Sequence, residues 1–237
     1  MRVVLIVTLA AAALAAPLQA TTFESGETQA TLLELYTSEG CSSCPPAEAR
    51  LAKLRSDPGL WKQFVPVAFH VDYWDRLGWA DRFASPAFTQ RQYEYAARWR
   101  NGSVYTPAFV QNGYEGSDPT PPAKPGRLRL ELNAGGQATV TYQPTNPAVT
   151  GLVVEVAPLA SGVTSDVRRG ENAGHHLAHE FVALGLLHAP LERCDDVWSA
   201  TLDLPSKTTA SAAALAVWVH AAGDPTALQA TGGWLKK

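Results

Sequence analysis

The chain has 237 residues, 46% of them hydrophobic and 17% charged, a balance that excludes a disordered or fibrous polypeptide. With 19 Lys+Arg against 22 Asp+Glu the formal net charge is −3, which offers no basic face for displacing phosphate counterions, so no nucleic-acid partner is expected. Three cysteines are too few for a disulfide scaffold, and their odd number leaves at least one without a partner inside the monomer.

Met1 and Arg2 make a short basic start, Val3 to Leu14 is an apolar run, and Ala15 to Ala20 ends in small residues. This pattern is that of a secretory signal peptide cleaved after Ala20. The apolar run is shorter than the ~20 residues of a spanning helix, so no membrane anchor is expected. The expected location is the periplasm or the exterior, where disulfides persist. Loss of Arg2 leaves 18 basic against 22 acidic side chains.

Leu32 to Tyr36 reads as a short apolar strand with Glu34 inside it. Ser42 to Ser56 carries Leu51 and Leu54 at helical spacing, opens on Pro45 and Pro46, where missing N–H groups are harmless, and stops at Asp57-Pro58-Gly59. Val65 to Val71 is the next strand. Ser85 and Pro86 form an N-cap and first-turn pair, after which Phe88, Gln92, Tyr95, Ala96 and Trp99 share a helical face. Ala108 to Gln111 and a Gly113 turn supply a hairpin. Residues 21–116 therefore read as an α/β layer. The segment 117–126, with Pro119, Pro121, Pro122 and Pro125, reads as a linker.

Beyond it the period becomes two. Arg127 to Leu132 and Ala138 to Tyr142 alternate strictly around the Asn133 to Gly136 turn, which makes a hairpin. Gly151 to Ala157, Val163 to Arg169, His179 to Leu187, Val197 to Leu204 and Leu215 to His220 are further strands. Together they predict a second, all-β sandwich-like domain over residues 127–237.

Cys41-Ser42-Ser43-Cys44 stands where the first strand hands over to the first helix, close enough for a disulfide. At a helix N-terminus the free N–H groups and the dipole favour a thiolate at Cys41, with Cys44 placed to resolve a mixed disulfide. Glu39, two residues before Cys41, opposes that thiolate. Three readings are open: redox exchange with a protein or small-molecule thiol or disulfide, a permanent structural disulfide, and a zinc site, for which a second cysteine pair is missing. Val104-Tyr105-Thr106-Pro107 precedes the hairpin, where a cis Thr106–Pro107 bond would lie beside the cysteines.

These residues carry two resemblances. Leu32 to Glu34, Cys41 to Pro45, Thr106-Pro107 and Phe109 to Gly113 resemble a thioredoxin-type domain. Glu34 to Pro46, His70 to Asp75, Leu77-Gly78-Trp79, Val104 to Pro107, Arg169 to Gly174 and His179 resemble a bacterial secreted family of unknown function, DUF 1223, over nearly the whole chain after Ala20. The first resemblance implies an α/β thioredoxin-like fold, Cys41, Cys44 and Pro107 as catalytic residues, and Glu34 in the place of a buried carboxylate that accepts a proton from the resolving thiol. The prolines of 117–126 depart from it, since a helix normally follows the hairpin.

Thr106, His70 and Trp74, with Asp72, Tyr73 and Trp79 nearby, are candidates to line a substrate groove. Joining His70 to the cysteines would make a soft copper site, but thioredoxin-like copper carriers space their cysteines differently. His175 and His179 share a strand face about 13 Å apart, too far for joint ligation, and read with His176 and Glu171 as solvated residues. No metal and no cofactor is therefore expected. Cys194, between Arg193 and Asp195, reads as an exposed loop thiol.

Overall fold

The computed structural model describes residues 20–116, 123–206 and 211–236. All of the expected signal segment except Ala20 lies outside the described residues, as does most of the proline-rich run. The chain forms β1 (Thr21–Glu24), β2 (Thr31–Thr37), α1 (Pro45–Ala52), β3 (Phe64–His70), α2 (Pro86–Arg98), β4 (Ala108–Gln111) and β5 (Tyr114–Glu115). After the prolines come β6 (Gly126–Leu132), β7 (Gln137–Pro144), β8 (Leu152–Ala160), β9 (Val163–Asp166), β10 (His176–His179), β11 (Val182–Ala183) and β12 (Leu187–Pro190). The last strands are β13 (Glu192–Cys194), β14 (Val197–Asp203), β15 (Ala214–Ala221) and β16 (Ala227–Trp234).

The expectation of an α/β thioredoxin-like domain followed by an all-β sandwich-like domain is overturned. The fold is mostly β, and its main feature is a nine-stranded mixed sheet of order β16-β15-β8-β11-β3-β2-β4-β5, with β12 on the same edge of β8 as β11. Strands from both sides of residues 117–126 share this sheet: β11 pairs parallel to β3 at Ala68 and antiparallel to β8. A second sheet, β1-β6-β7-β14-β13, also crosses the prolines, because β1 pairs with β6 from Thr21↔Leu132 to Glu24↔Arg129.

The physical reason lies in β8 and β15. Leu152, Val154 and Val156 of β8 and Leu215, Val217 and Val219 of β15 point to a core shared with Leu128, Leu130, Val140 and Tyr142 of the second sheet. The intervening Ala157 and Leu159, and Ala214, Ala216 and Trp218, point the other way, into a core with Leu35, Phe69, Phe88 and Tyr95. Strands apolar on both faces need cover on both sides. A self-contained sandwich would leave one of those faces wet, so β8 and β15 complete the sheet begun by β2 and β3.

The helices start as their sequences predict. Ser85 Oγ accepts a hydrogen bond from the Ala87 N–H at 3.3 Å with Pro86 behind it, and Phe88, Gln92, Tyr95 and Ala96 turn inward. Arg91 also lies on that buried face, because it has two carboxylates to meet. Its Nε donates to Glu34 of β2 and its Nη1 to Glu155 of β8, each at 2.6 Å. Strand β16 escapes a sequence reading because Gly232-Gly233 looks like a turn. A Cβ at Gly233 would sit 2.2 Å from the Phe23 ring and one at Gly232 2.7 Å from Trp61, so these glycines are the space two aromatic rings occupy.

Arg91 thus joins elements from both halves of the chain. Arg91→Ala leaves Glu34 and Glu155 buried without a counter-charge, and a loss of about 3–5 kcal/mol of unfolding free energy is expected, measured by urea denaturation as one transition. Replacing Arg91, Glu34 and Glu155 together by apolar residues of similar volume costs less than the single change.

Candidate functional site

The strand β2 ends at Thr37, and the chain tightens through Ser38-Glu39-Gly40 into the cysteines. The Cys41 N–H donates to Ser38 O at 3.1 Å, the Cys44 N–H to Cys41 O at 3.2 Å, and Cys44 O then accepts from Ala47 and Glu48 to begin α1. These turns bring the Cα atoms of Cys41 and Cys44 to 5.4 Å, and the two sulfurs form a disulfide. Both cysteines are 0% exposed. Cover comes from far along the chain. Asn172 Nδ2 donates to Glu39 O and Cys41 O, both at 2.9 Å, and Ser42 donates to Glu171 Oε2 from its N–H at 3.1 Å and its hydroxyl at 2.8 Å. Those hydrogen bonds hold the exposed Glu171 carboxyl below its usual range.

Next to the disulfide lies a buried cluster of carboxylates and imidazoles. His179, at the end of β10, directs Nδ1 at Glu48 Oε2 of α1, and its Nε2 lies 3.3 Å from Glu39 Oε1. Thr37 Oγ1 donates to the other Glu48 oxygen at 2.6 Å, and Trp79 Nε1 to Glu39 Oε2 at 2.6 Å. His70, at the end of β3, has Nδ1 2.7 Å from Asp81 Oδ2, and its ring meets that of His179 edge-on at 5.2 Å. Burial works against the His179 imidazolium, but hydrogen bonds and charge from Glu39 and Glu48 outweigh it and raise its pKa to about 9. Burial likewise opposes the carboxylates, yet hydrogen bonding to His179 brings Glu39 and Glu48 below the usual range, and His70 does the same for Asp81. Ligand atoms of Glu48, His70 and His179 lie within 4.8 Å of one another, so this cluster is where the described residues could hold a metal ion.

The residues picked from sequence land in four places. Thr106–Pro107 is a cis peptide bond, and Trp74 Nε1 donates to Thr106 Oγ1 at 2.8 Å while the Trp74 Cβ packs against Gly40. Trp74 therefore links the turn before Cys41 to Thr106. Glu34 is buried and tied to Arg91; burial pushes its carboxyl up and Arg91 pulls it back. His70 is fully buried against Asp81 rather than placed on a groove wall. Cys194 is a free, exposed thiol on β13. The surprise is His179, which reads as solvated in sequence but is 1% exposed. In the His176–His179 strand the burial pattern alternates, and His176 is the exposed one, paired with Asp166. Asn172, Glu48 and Asp81 carry no sequence signal for their roles.

The chain belongs to the family described as protein of unknown function (DUF1223), whose model matches residues 32–220. No curated protein matches it. Among solved structures it is similar to a protein from Agrobacterium tumefaciens solved by X-ray crystallography in a structural-genomics programme. The two are 25% identical with a TM-score of 0.61, over 90% of this chain and 98% of that one. It is also similar to HBP35 of Porphyromonas gingivalis, at 17% identity and a TM-score of 0.64 over 90% of this chain and 77% of that one, a likeness of fold alone. Both likenesses run across the proline-rich segment.

Two outcomes follow from this geometry. Asn172→Ala leaves two buried carbonyls without their donor and is expected to cost about 1–3 kcal/mol by urea denaturation. With a chelator present, the buried cluster sets the pH profile. His179, raised from 6.5 to about 9, contributes fully below pH 6.5 and loses its contribution as pH rises towards 9. Glu39 and Glu48, lowered from 4.5, contribute above that pH and lose it as pH falls, and Asp81 does so below its ordinary 3.8. Unfolding free energy measured across pH is therefore expected to be highest between about 4.5 and 6.5.

Proposed function

We propose that this protein is a binding or structural module, delivered to the periplasm or the exterior, in which Cys41–Cys44 is a permanent disulfide. The observation that carries the reading is the complete burial of both cysteines under Glu171 and Asn172. A thiolate must reach a sulfur along the S–S axis to displace the other one, and the covered disulfide gives it no approach. The neighbouring groups support the same reading. Glu39, two residues before Cys41, and Glu48 are both held ionised, and the His179 imidazolium between them offsets only one of the two negative charges, so a net negative charge remains against a thiolate in this turn. An oxidising compartment, to which Met1 to Ala20 would direct the chain, keeps such a disulfide formed.

One observation favours a second reading, thiol–disulfide exchange. Ser42 and Ser43, between the cysteines, are exposed, and the contact holding Glu171 over Ser42 is itself at the surface. Release of that contact would bare Cys41, three residues before the Cys44 cap of α1, and free the Ser42 N–H beside it to meet a thiolate.

The reduction potential separates the two. A value below about −300 mV is expected for the staple, and one between about −120 and −270 mV would favour exchange. In the same equilibrium, Cys44→Ser is expected to trap no mixed disulfide with protein or small thiols; an accumulating Cys41 adduct would reverse the assignment. Glu171→Ala, which removes the surface contact alone, is expected to speed reduction by dithiothreitol without moving the unfolding midpoint.

A further inference from the structure

We propose that Glu48, His70 and His179 form a binding site for one divalent transition-metal ion of the zinc class. The three side chains come from three separate elements, α1, the end of β3 and the end of β10, and converge with ligand atoms within 4.8 Å of one another. A tetrahedral zinc with bonds of about 2.0–2.2 Å holds its ligands roughly 3.3 Å apart, so binding would draw these side chains together by about 1.5 Å at most. Two imidazoles with one carboxylate suit zinc, cobalt or copper, whereas calcium and magnesium prefer all-oxygen shells.

An independent observation points to a ligand here. His70 is fully buried, and its Nε2 has no hydrogen-bond partner. A buried ring nitrogen left unsatisfied is costly, and a metal bond to its lone pair removes that cost. The rest of the His70 ring is prepared for it. Asp81 Oδ2 stands 2.7 Å from Nδ1, which places the proton there and turns the Nε2 lone pair inward. Asp81 is in turn fixed by the Glu39 N–H at 2.8 Å and the Phe83 N–H at 2.9 Å. The same arrangement repeats at the other two ligands. Thr37 donates to Glu48 Oε1 and leaves Oε2 facing the cluster, and Glu39 lies 3.3 Å behind Nε2 of His179, whose Nδ1 faces Glu48. His70 and Glu48 thus each have a hydrogen-bonded partner behind them, and His179 has the Glu39 carboxylate as an ion pair at 3.3 Å, the kind of outer shell that orients a metal-bound histidine or carboxylate. Because all three are buried, the ion would be closed off from solvent and would act to tie α1, β3 and β10 together.

The test is zinc titration calorimetry on the untagged full chain after chelator treatment. One equivalent is expected to bind, with loss of that binding in His70→Ala and in Glu48→Gln. Asp81→Asn is expected to weaken it about 10- to 100-fold. His176→Ala, an exposed histidine outside the cluster, is expected to leave it unchanged. No uptake by the unaltered chain, or uptake that survives His70→Ala, would overturn the site. Should the variants fail to fold, paramagnetic resonance of one equivalent of Cu2+ on the unaltered chain decides. Hyperfine coupling to two imidazole nitrogens supports the site, and coupling to fewer, or to none, overturns it.

Discussion

The two-sided burial of β8 and β15 is the constraint on which the rest of the architecture depends. Each strand sends alternate apolar side chains into two different cores, one against β2, β3 and α2 and the other against β6, β7 and β14. Each residue buried this way removes apolar area from water on its own side, at about 25 cal/mol per Å². Neither face can be left open, so the two sheets and the helices have to form around this pair together. The parallel pairing of β11 with β3 closes the same sheet from the other direction.

The large sheet also explains why so many charges are buried. Glu34 and Glu155 lie on strands whose faces are covered, and one arginine from α2 serves both of them, with the Trp218 indole N–H donating to the same Glu155 oxygen. Buried ions are tolerated when each is paired and hydrogen-bonded. At the other end of the sheet Glu39, Glu48, Asp81, His70 and His179 share partners in the same way, but Nε2 of His179 and Oε1 of Glu39 meet only as an ion pair at 3.3 Å, and Nε2 of His70 has no hydrogen-bond partner.

The cysteine turn sits between these requirements. It connects a strand of the large sheet to α1, and its cover comes from the segment around Glu171 and Asn172, which the β9–β10 hairpin presents. Asn172 holds two carbonyls of the turn directly, while Trp74 braces Gly40 against Thr106. The environment of the disulfide is therefore a property of residues more than a hundred positions apart in the chain.

The amino-acid sequence by itself determined the local elements. Ser85 with Pro86 set the start of α2, Pro45-Pro46 set that of α1, and strict alternation in Arg127 to Leu132 and Ala138 to Tyr142 made the β6–β7 hairpin, because caps and period-two patterns act over a few residues. The Cys41–Cys44 pairing was equally local, since a turn of four residues already brings the sulfurs together. What joined these pieces was decided only by tertiary structure. An apolar strand such as Leu215 to His220 has the same pattern whether one face or both are to be buried, so the sequence did not reveal that β15 belongs with β8 and the β2–β3 sheet. His179 reads the same whether solvated or set between two carboxylates, because Glu39 and Glu48 lie more than a hundred residues before it and reach it only when α1 and β10 pack against each other.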